Sequence, residues 1–305
     1  MLKELILEHY GLNVQGLELI DSHFGTEIYL AHTDKGRFIV KTLPLSAGGM
    51  EEERRVTEFL LAHGVPVARV YKAVRTDTFQ FHLQEFIEGE SPAINTAPDW
   101  MLGKMAELLG RIHGVLADYG GLPTRFGRDF FSKKNAKIEL RRYLKEEQSP
   151  EVKERVEHLK RISKFSIDTR KFTYANSHGD YWIAQLIARG EALTVIDWTS
   201  ACRLPACLEV MTSYVSCDPA CVGGEISAIR LKQYIAQYER HAQLSAYDLK
   251  MMPYVYYFQQ MLCHYRPGEA VAEHYRPIGG LIDRAAGWLH GHAGELSAQL
   301  CREEL

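Results

Sequence analysis

The stretch from Ser177 to Ala201, S-H-G-D-Y-W-I-A-Q-L-I-A-R-G-E-A-L-T-V-I-D-W-T-S-A, constrains this chain more than any other. Asp180 follows a His-Gly pair, an amide side chain stands at Gln185, and a second carboxylate, Asp197, closes the apolar run Leu193-Thr194-Val195-Ile196. That run reads as a buried strand. A carboxylate at its end is costly among apolar walls unless a metal or a donor compensates it.

The length of 305 residues is enough for two domains with their own cores. Apolar residues make up 46% and charged residues 25%, the balance of an ordinary globular protein. The net charge of −3 offers no general field for nucleic acid or a membrane surface, so neither is expected as a partner. Residues 1–8, M-L-K-E-L-I-L-E, form an amphipathic helix pattern with charges where a signal peptide has its apolar centre. With no apolar run long enough to span a bilayer, a cytoplasmic location is expected. Cys202, Cys207, Cys217 and Cys221 lie close in sequence but contain no C-x-x-C pair, so they read as buried thiols rather than a zinc site.

Residues 17–43 read as strands, with Asp34-Lys35-Gly36 turning one into the next. A helix is expected at 50–63, where Val56, Phe59 and Leu60 share a face and His63-Gly64 supplies the stop. A strand pair follows at about 70–75 and 79–86. Glu88-Gly89-Glu90-Ser91-Pro92 breaks the pattern and suggests a boundary, with a β domain at 1–88 and a mostly helical one at 89–305. Leu102, Met105, Ala106, Leu109 and Ile112 trace one helical face, and long helices are expected at about 206–216, 225–242, 246–266 and 277–299.

The order of Asp180, Gln185 and Asp197 suits phosphoryl transfer from a nucleotide. One carboxylate accepts a hydroxyl proton, and an amide with a second carboxylate holds Mg²⁺ on the phosphates. The spacing from Asp180 to Gln185 matches the protein kinase loop H-R-D-x-x-x-x-N, with Gln in place of Asn. Gln185 is a hard-oxygen ligand but one methylene longer than Asn. Lys41, at the end of F-I-V-K, stands where a kinase lysine reaches the α- and β-phosphates. The turn carrying Gly25 and Thr26 is a candidate phosphate cover, although its single glycine also suits a plain hairpin. Glu85, Phe86 and Ile87 lead into the boundary where adenine would lie against backbone.

Together these residues resemble the aminoglycoside phosphotransferase and choline kinase-like superfamily, which shows H-G-D-x-x-x-x-N and then a strand ending I-D-W or I-D-F. Here the two motifs read H-G-D-Y-W-I-A-Q and V-I-D-W. The segment E-R-R-V-T-E-F-L-L-A-H-G-V-P-V-A is similar to a family helix and turn, an alignment that makes Glu53 the glutamate holding Lys41. Glu209 stands where the family carries an Asp in D-P-A-x-D-L-A, a position the resemblance implies to be an anchor of the helical lobe. Leu109-Gly110-Arg111-Ile112-His113 is similar to the family helix ending in Leu-His, and the run around Thr212-Ser213-Tyr214 resembles the spore-coat-associated branch.

The resemblance implies an α+β, protein-kinase-like fold in two lobes and an ATP- or GTP-dependent kinase acting on a small-molecule hydroxyl. In it Lys41 binds phosphates, Asp180 is the base, His178 organises the loop, and Gln185 and Asp197 hold Mg²⁺. Two rivals are carried: a weakened pseudokinase serving assembly or nucleotide sensing, motivated by Gln185 and Glu209, and a protein kinase, disfavoured by W-T-S-A after Asp197. Tyr254, Tyr256, Tyr257, Phe258, Tyr265 and Trp288 offer aromatic walls for a cationic substrate, but the spacing of Tyr254, Phe258, Met261 and Tyr265 favours a core stripe. Asp248, Glu269, Glu273 and Asp283 are candidate amine partners, or equally a solvated face.

Overall fold

The computed structural model describes residues 1–23, 25–46, 48–127, 129–263 and 276–302. Phe24 of the phosphate-cover turn, and Tyr265, Glu269 and Glu273 among the substrate candidates, lie outside them. The chain divides into two compact units, one of Met1–Ser91 with Gln185–Ala201, the other of Pro92–Ala184 with Cys202–Leu305.

The first unit begins with helix α1 (Leu2–Tyr10). Strands β1 (Val14–His23), β2 (Thr26–Thr33) and β3 (Gly36–Pro44) follow, then helix α2 (Met50–Ala62) and strands β4 (Val74–Arg75) and β5 (Phe79–Glu85). The strands form one antiparallel sheet in the order β1-β2-β3-β5-β4. Ile6 of α1 packs with Ala31, Val40, Phe81 and Leu83 into a core on one face. Strand β3 is buried on both faces from Val40 to Leu43, so alternation puts Lys41 opposite Val40. On α2 the buried residues Met50, Glu53, Val56, Thr57 and Leu60 form a helical stripe, which carries the Glu53 carboxylate inside.

The expected strand at 70–75 is only two residues long. Val67 and Val70 make isolated bridges, to Val195 and Gln84, because residues 65–73 run extended past two different partners. The second segment of this unit is the hairpin β7 (Leu186–Arg189) and β8 (Ala192–Val195). It is tied to the rest through Val195 N–H to Pro66 O at 2.9 Å and through the Glu90–Ala188 backbone pair. A Cβ at Gly89 would collide with the Ala188 carbonyl oxygen, so this approach requires glycine.

The second unit is mostly helical, with α3 (Asp99–Leu116), α4 (Lys133–Tyr143), α5 (Pro150–Ile162), α6 (Ala206–Cys217), α7 (Ala228–Tyr238), α8 (Ala246–Leu262) and α9 (Arg276–Leu300). Strands β6 (Tyr174–Ser177) and β9 (Cys202–Pro205) pair antiparallel within it. Helix α6 is buried at every position but Thr212, which makes it the centre of this unit. Gly110 and Gly114 on α3 let the end of α7 approach; a Cβ at Gly114 would stand 2.7 Å from the His241 carbonyl oxygen.

From Met251 onward helix α8 is buried on nearly every side. Tyr256, Tyr257, Phe258 and Met261 are buried and Tyr254 is half-buried, so the core reading holds for Phe258 and Met261 of the expected stripe, and Tyr256 and Tyr257 extend burial beyond it. Asp248 is no amine site: it is fully buried, closes a capping box with Ser245 and accepts the Thr173 N–H at 3.0 Å. Asp283 lies on α9. Cys202, Cys207, Cys217 and Cys221 are buried free thiols, and burial pushes Cys202 and Cys221 up to about 12. No helix among the described residues is long and apolar enough to cross a membrane.

Candidate active site

Two constellations carry the candidate residues, one in each unit. In the first unit β3 delivers Lys41 from the sheet, and the residue after β8 and Ile196 is Asp197. Asp197 has φ 58°, a left-handed conformation uncommon for a residue with a side chain and characteristic of strained functional positions. The Lys41 Nζ donates to Asp197 Oδ1 at 2.5 Å, and the Thr199 hydroxyl donates to the same oxygen at 2.6 Å. The side chain of Lys41 is 7% exposed and that of Asp197 32%. Asp197 is therefore not a lone carboxylate among apolar walls. It stands at a partly open edge with a cation against it.

Glu53 is fully buried beside this pair. Its Oε1 accepts the Trp198 N–H at 3.0 Å, so α2 grips the chain immediately after Asp197. Its Oε2 has no hydrogen-bond partner and lies 3.7 Å from His82 Nε2, whose ring is also fully buried and unsatisfied at both nitrogens. Burial raises the Glu53 carboxyl to about 7, opposed by the nearby Lys41 charge. Burial, aided by Lys41, lowers His82 to about 3, which keeps the ring neutral. His82 is the cross-strand partner of Lys41. Sequence reading missed it, because a His on a strand carries no signal of what it will face.

Gln185 ends a 3-10 turn, and its backbone oxygen accepts the Ile196 N–H at 2.9 Å. That single bond sets Gln185 beside the residue preceding Asp197. The donor set is an amide oxygen and a carboxylate, hard ligands that fit Mg²⁺, which completes its shell with water and phosphate oxygens. Among the described residues no cluster of three His, Cys, Asp or Glu forms an all-protein metal cage. Gly25, at φ 77°, and Thr26 form the β1–β2 turn, with Thr26 paired to His23. Glu85 ends β5 and Phe86 carries the Arg37 guanidinium over its ring at 4.2 Å, while Ile87 follows in the connector to Glu88, the ion-pair partner of Arg37.

In the second unit Asp180 is exposed and stands two residues after buried His178. The Asp180 N–H donates to His178 Nδ1 at 3.3 Å. Gly179 is held from both sides: its N–H donates to Glu209 Oε1 at 2.6 Å, and its carbonyl accepts from Arg125 at 2.9 Å. Glu209, on α6, also lies 2.8 Å from His113 Nε2 through Oε2. Burial works against its charge, but hydrogen bonding and the charge of His113 hold the carboxyl below the usual range. Ser177 Oγ lies 2.8 Å from the same His113 nitrogen. A buried Glu–His pair thus fixes the loop that presents Asp180. The sequence marked Glu209 and His113 only by position in a motif; nothing in it marked Arg125, 54 residues from Gly179.

A family model described as the phosphotransferase enzyme family (APH) matches residues 16–249. No curated protein matches the chain. Among solved structures, the amicoumacin kinase hAmiN in complex with AMP-PNP, Ca²⁺ and Ami is similar over 96% of this chain and 93% of its own, at 12% identity and TM-score 0.64. The spectinomycin phosphotransferase APH(9)-Ia with ADP and spectinomycin is similar over 95% and 98%, at 14% identity and TM-score 0.62. An aminoglycoside phosphotransferase from Alicyclobacillus acidocaldarius is similar over 94% and 92%, at 12% identity and TM-score 0.63. At such identity the likeness is one of fold. It bears out the expected α+β, protein-kinase-like architecture with a small antiparallel sheet and a larger helical part.

Proposed function

The chain belongs to the phosphotransferase enzyme family, and on that premise we propose that it transfers the γ-phosphoryl group of ATP or GTP to a hydroxyl of a small molecule. The observation that carries this reading is the Lys41–Asp197 contact, with Gln185 tied by backbone to Ile196, the residue before Asp197. A buried lysine and a strained, partly open carboxylate are a phosphate binder and a metal ligand brought to one place.

In the proposed reaction the acceptor oxygen forms a bond to the γ-phosphorus as the bond to the bridging oxygen breaks, and the nucleoside diphosphate leaves. Asp180 takes the hydroxyl proton, and its exposure leaves it reachable by an acceptor. Lys41 shifts its charge from Asp197 to the α- and β-phosphate oxygens. Glu53 holds the backbone at Trp198, so that Asp197 keeps its orientation. Gln185 and Asp197 would hold Mg²⁺, which offsets the phosphate charge when bound. The Gly25–Thr26 turn covers the phosphates with backbone N–H groups, and Glu85, Phe86 and Ile87 receive the nucleobase. Acceptors of the amino sugar, choline-like or amino-acid alcohol classes fit a family built for small hydroxyl compounds. A cytoplasmic location fits such nucleotide and metabolite partners.

The test is calorimetric titration with ATP and GTP, with and without Mg²⁺, repeated on Asp197→Ala. Mg²⁺-dependent binding that the variant loses is expected, followed by turnover on an acceptor from one of the three classes. Failure of both nucleotides to bind sinks this reading and turns the search toward a pseudokinase role.

A further inference from the structure

A cavity of about 750 Å³ opens in the second unit between the ends of α3 and α7 and the paired strands β6 and β9. Its volume is that of a small-molecule site. Neither His178, Gly179 nor Asp180 lines it, so it is not the pocket of the catalytic loop. Among the described residues no Asp or Glu lines it either. Arg203 does, with its guanidinium over the Tyr174 ring at 5.6 Å and no ion pair among the described residues. His241 also lines it, with its Nε2 3.8 Å from the Glu107 carboxylate. A planar guanidinium supported by a ring, with no carboxylate facing it in the cavity, is preorganised for a carboxylate or phosphate oxygen pair.

The wall of the cavity is also the start of a hydrogen-bonded chain. Tyr238 and His113 both line it. The Tyr238 hydroxyl lies 2.9 Å from His113 Nδ1, the other nitrogen of that ring lies 2.8 Å from Glu209, and Glu209 accepts the Gly179 N–H. We propose that this cavity binds a small organic anion through Arg203, and that its occupancy reaches the Gly179 amide through His113 and Glu209. Contiguous buried polar contacts of this kind are a physical route for coupling between two sites.

The test uses the full chain with phenyl phosphate and benzoate as probes and benzyl alcohol as the neutral control. Both anions are expected to bind wild type, and to bind Arg203→Met at least about tenfold more weakly. Arg203→Met keeps the stem over Tyr174, and thermal melting confirms that it folds. Lys41→Met separates this cavity from the nucleotide site, because anion binding there is expected to match wild type. The relative affinity of the two probes tells whether phosphate or carboxylate is preferred. Hydrogen exchange at the Gly179 amide is expected to change with the anion in wild type and not in Arg203→Met. Equal affinity in Arg203→Met, loss of binding in Lys41→Met, no preference for the anions over benzyl alcohol, or unaltered Gly179 exchange would each overturn the proposal. None of these readouts depends on phosphotransfer.

Discussion

The Lys41 ammonium and the Asp197 carboxylate, 156 residues apart in sequence, meet at 2.5 Å. Each holds the other in the place where the phosphates of a nucleotide and its cation would be received. Removing one partner of a largely buried ion pair leaves the other uncompensated. Lys41→Met is therefore expected to weaken nucleotide binding by at least about tenfold and to lower kcat/KM further, since it removes a charge-assisted contact. Calorimetry and steady-state kinetics check this, and unchanged affinity removes Lys41 from phosphate binding.

Asp180 is exposed and held by a loop that other side chains fix, so Asp180→Asn is expected to leave the fold and nucleotide affinity intact. Turnover should fall by about 10² to 10⁴, the usual loss for a general base. Retained turnover would take the proton-accepting role away from Asp180.

Gln185 is longer than the amide of the related motif, and its backbone is bonded to Ile196 at 2.9 Å. In a site adjusted to that length, Gln185→Asn withdraws the amide oxygen by about 1 Å and costs on the order of 100-fold in rate. A gain in rate would instead mark Gln185 as a degenerate position.

Glu209 serves two partners from the buried centre of the helical unit. Glu209→Leu leaves the Gly179 N–H and the His113 ring without their acceptor, at a cost of about 3 kcal/mol. Denaturant unfolding measures this, and a stability equal to wild type shows that the pair does not anchor the loop.

The His82–Glu53 pair predicts opposite pH responses. The folded ring, lowered to about 3, stays neutral while the unfolded ring protonates. The stability it contributes is present above the ordinary His value and is lost as pH falls from there toward 3. Glu53, raised to about 7, favours the folded state at low pH and loses that contribution as pH rises from the ordinary Glu value toward 7. The two slopes oppose each other where the windows overlap. His82→Leu removes the first, so the wild-type minus variant stability difference should fall toward acid by about 1.4 kcal/mol per pH unit within the His window. A difference independent of pH shows that His82 is not held neutral.

Much of the local structure is legible in the sequence. The Asp34-Lys35-Gly36 turn, the α2 stripe and the α3 face depend on residues within a few positions of one another, and such short-range patterns are written in periodicity. The alignment that singled out Glu53 agrees with its place on the buried stripe, which periodicity alone did not reveal because a carboxylate breaks an apolar pattern. The burial of α8 beyond one stripe from Met251 onward was only half legible, since a stripe predicts one covered face and helices packed on several sides cover more.

The order H-G-D, Gln185 and I-D-W, with Lys41 on the strand before α2, is enough to place the chain in a phosphotransferase family and to nominate its chemical groups. Which groups touch was decided only by tertiary structure. Lys41 rests on Asp197, Glu53 reaches the Trp198 N–H, His82 is sealed beside Glu53, and Arg125 and Glu209 hold Gly179 between them. These contacts join residues from 29 to 156 positions apart. The energy of a buried charge depends on the atoms that surround it in space, and one-dimensional spacing does not specify those.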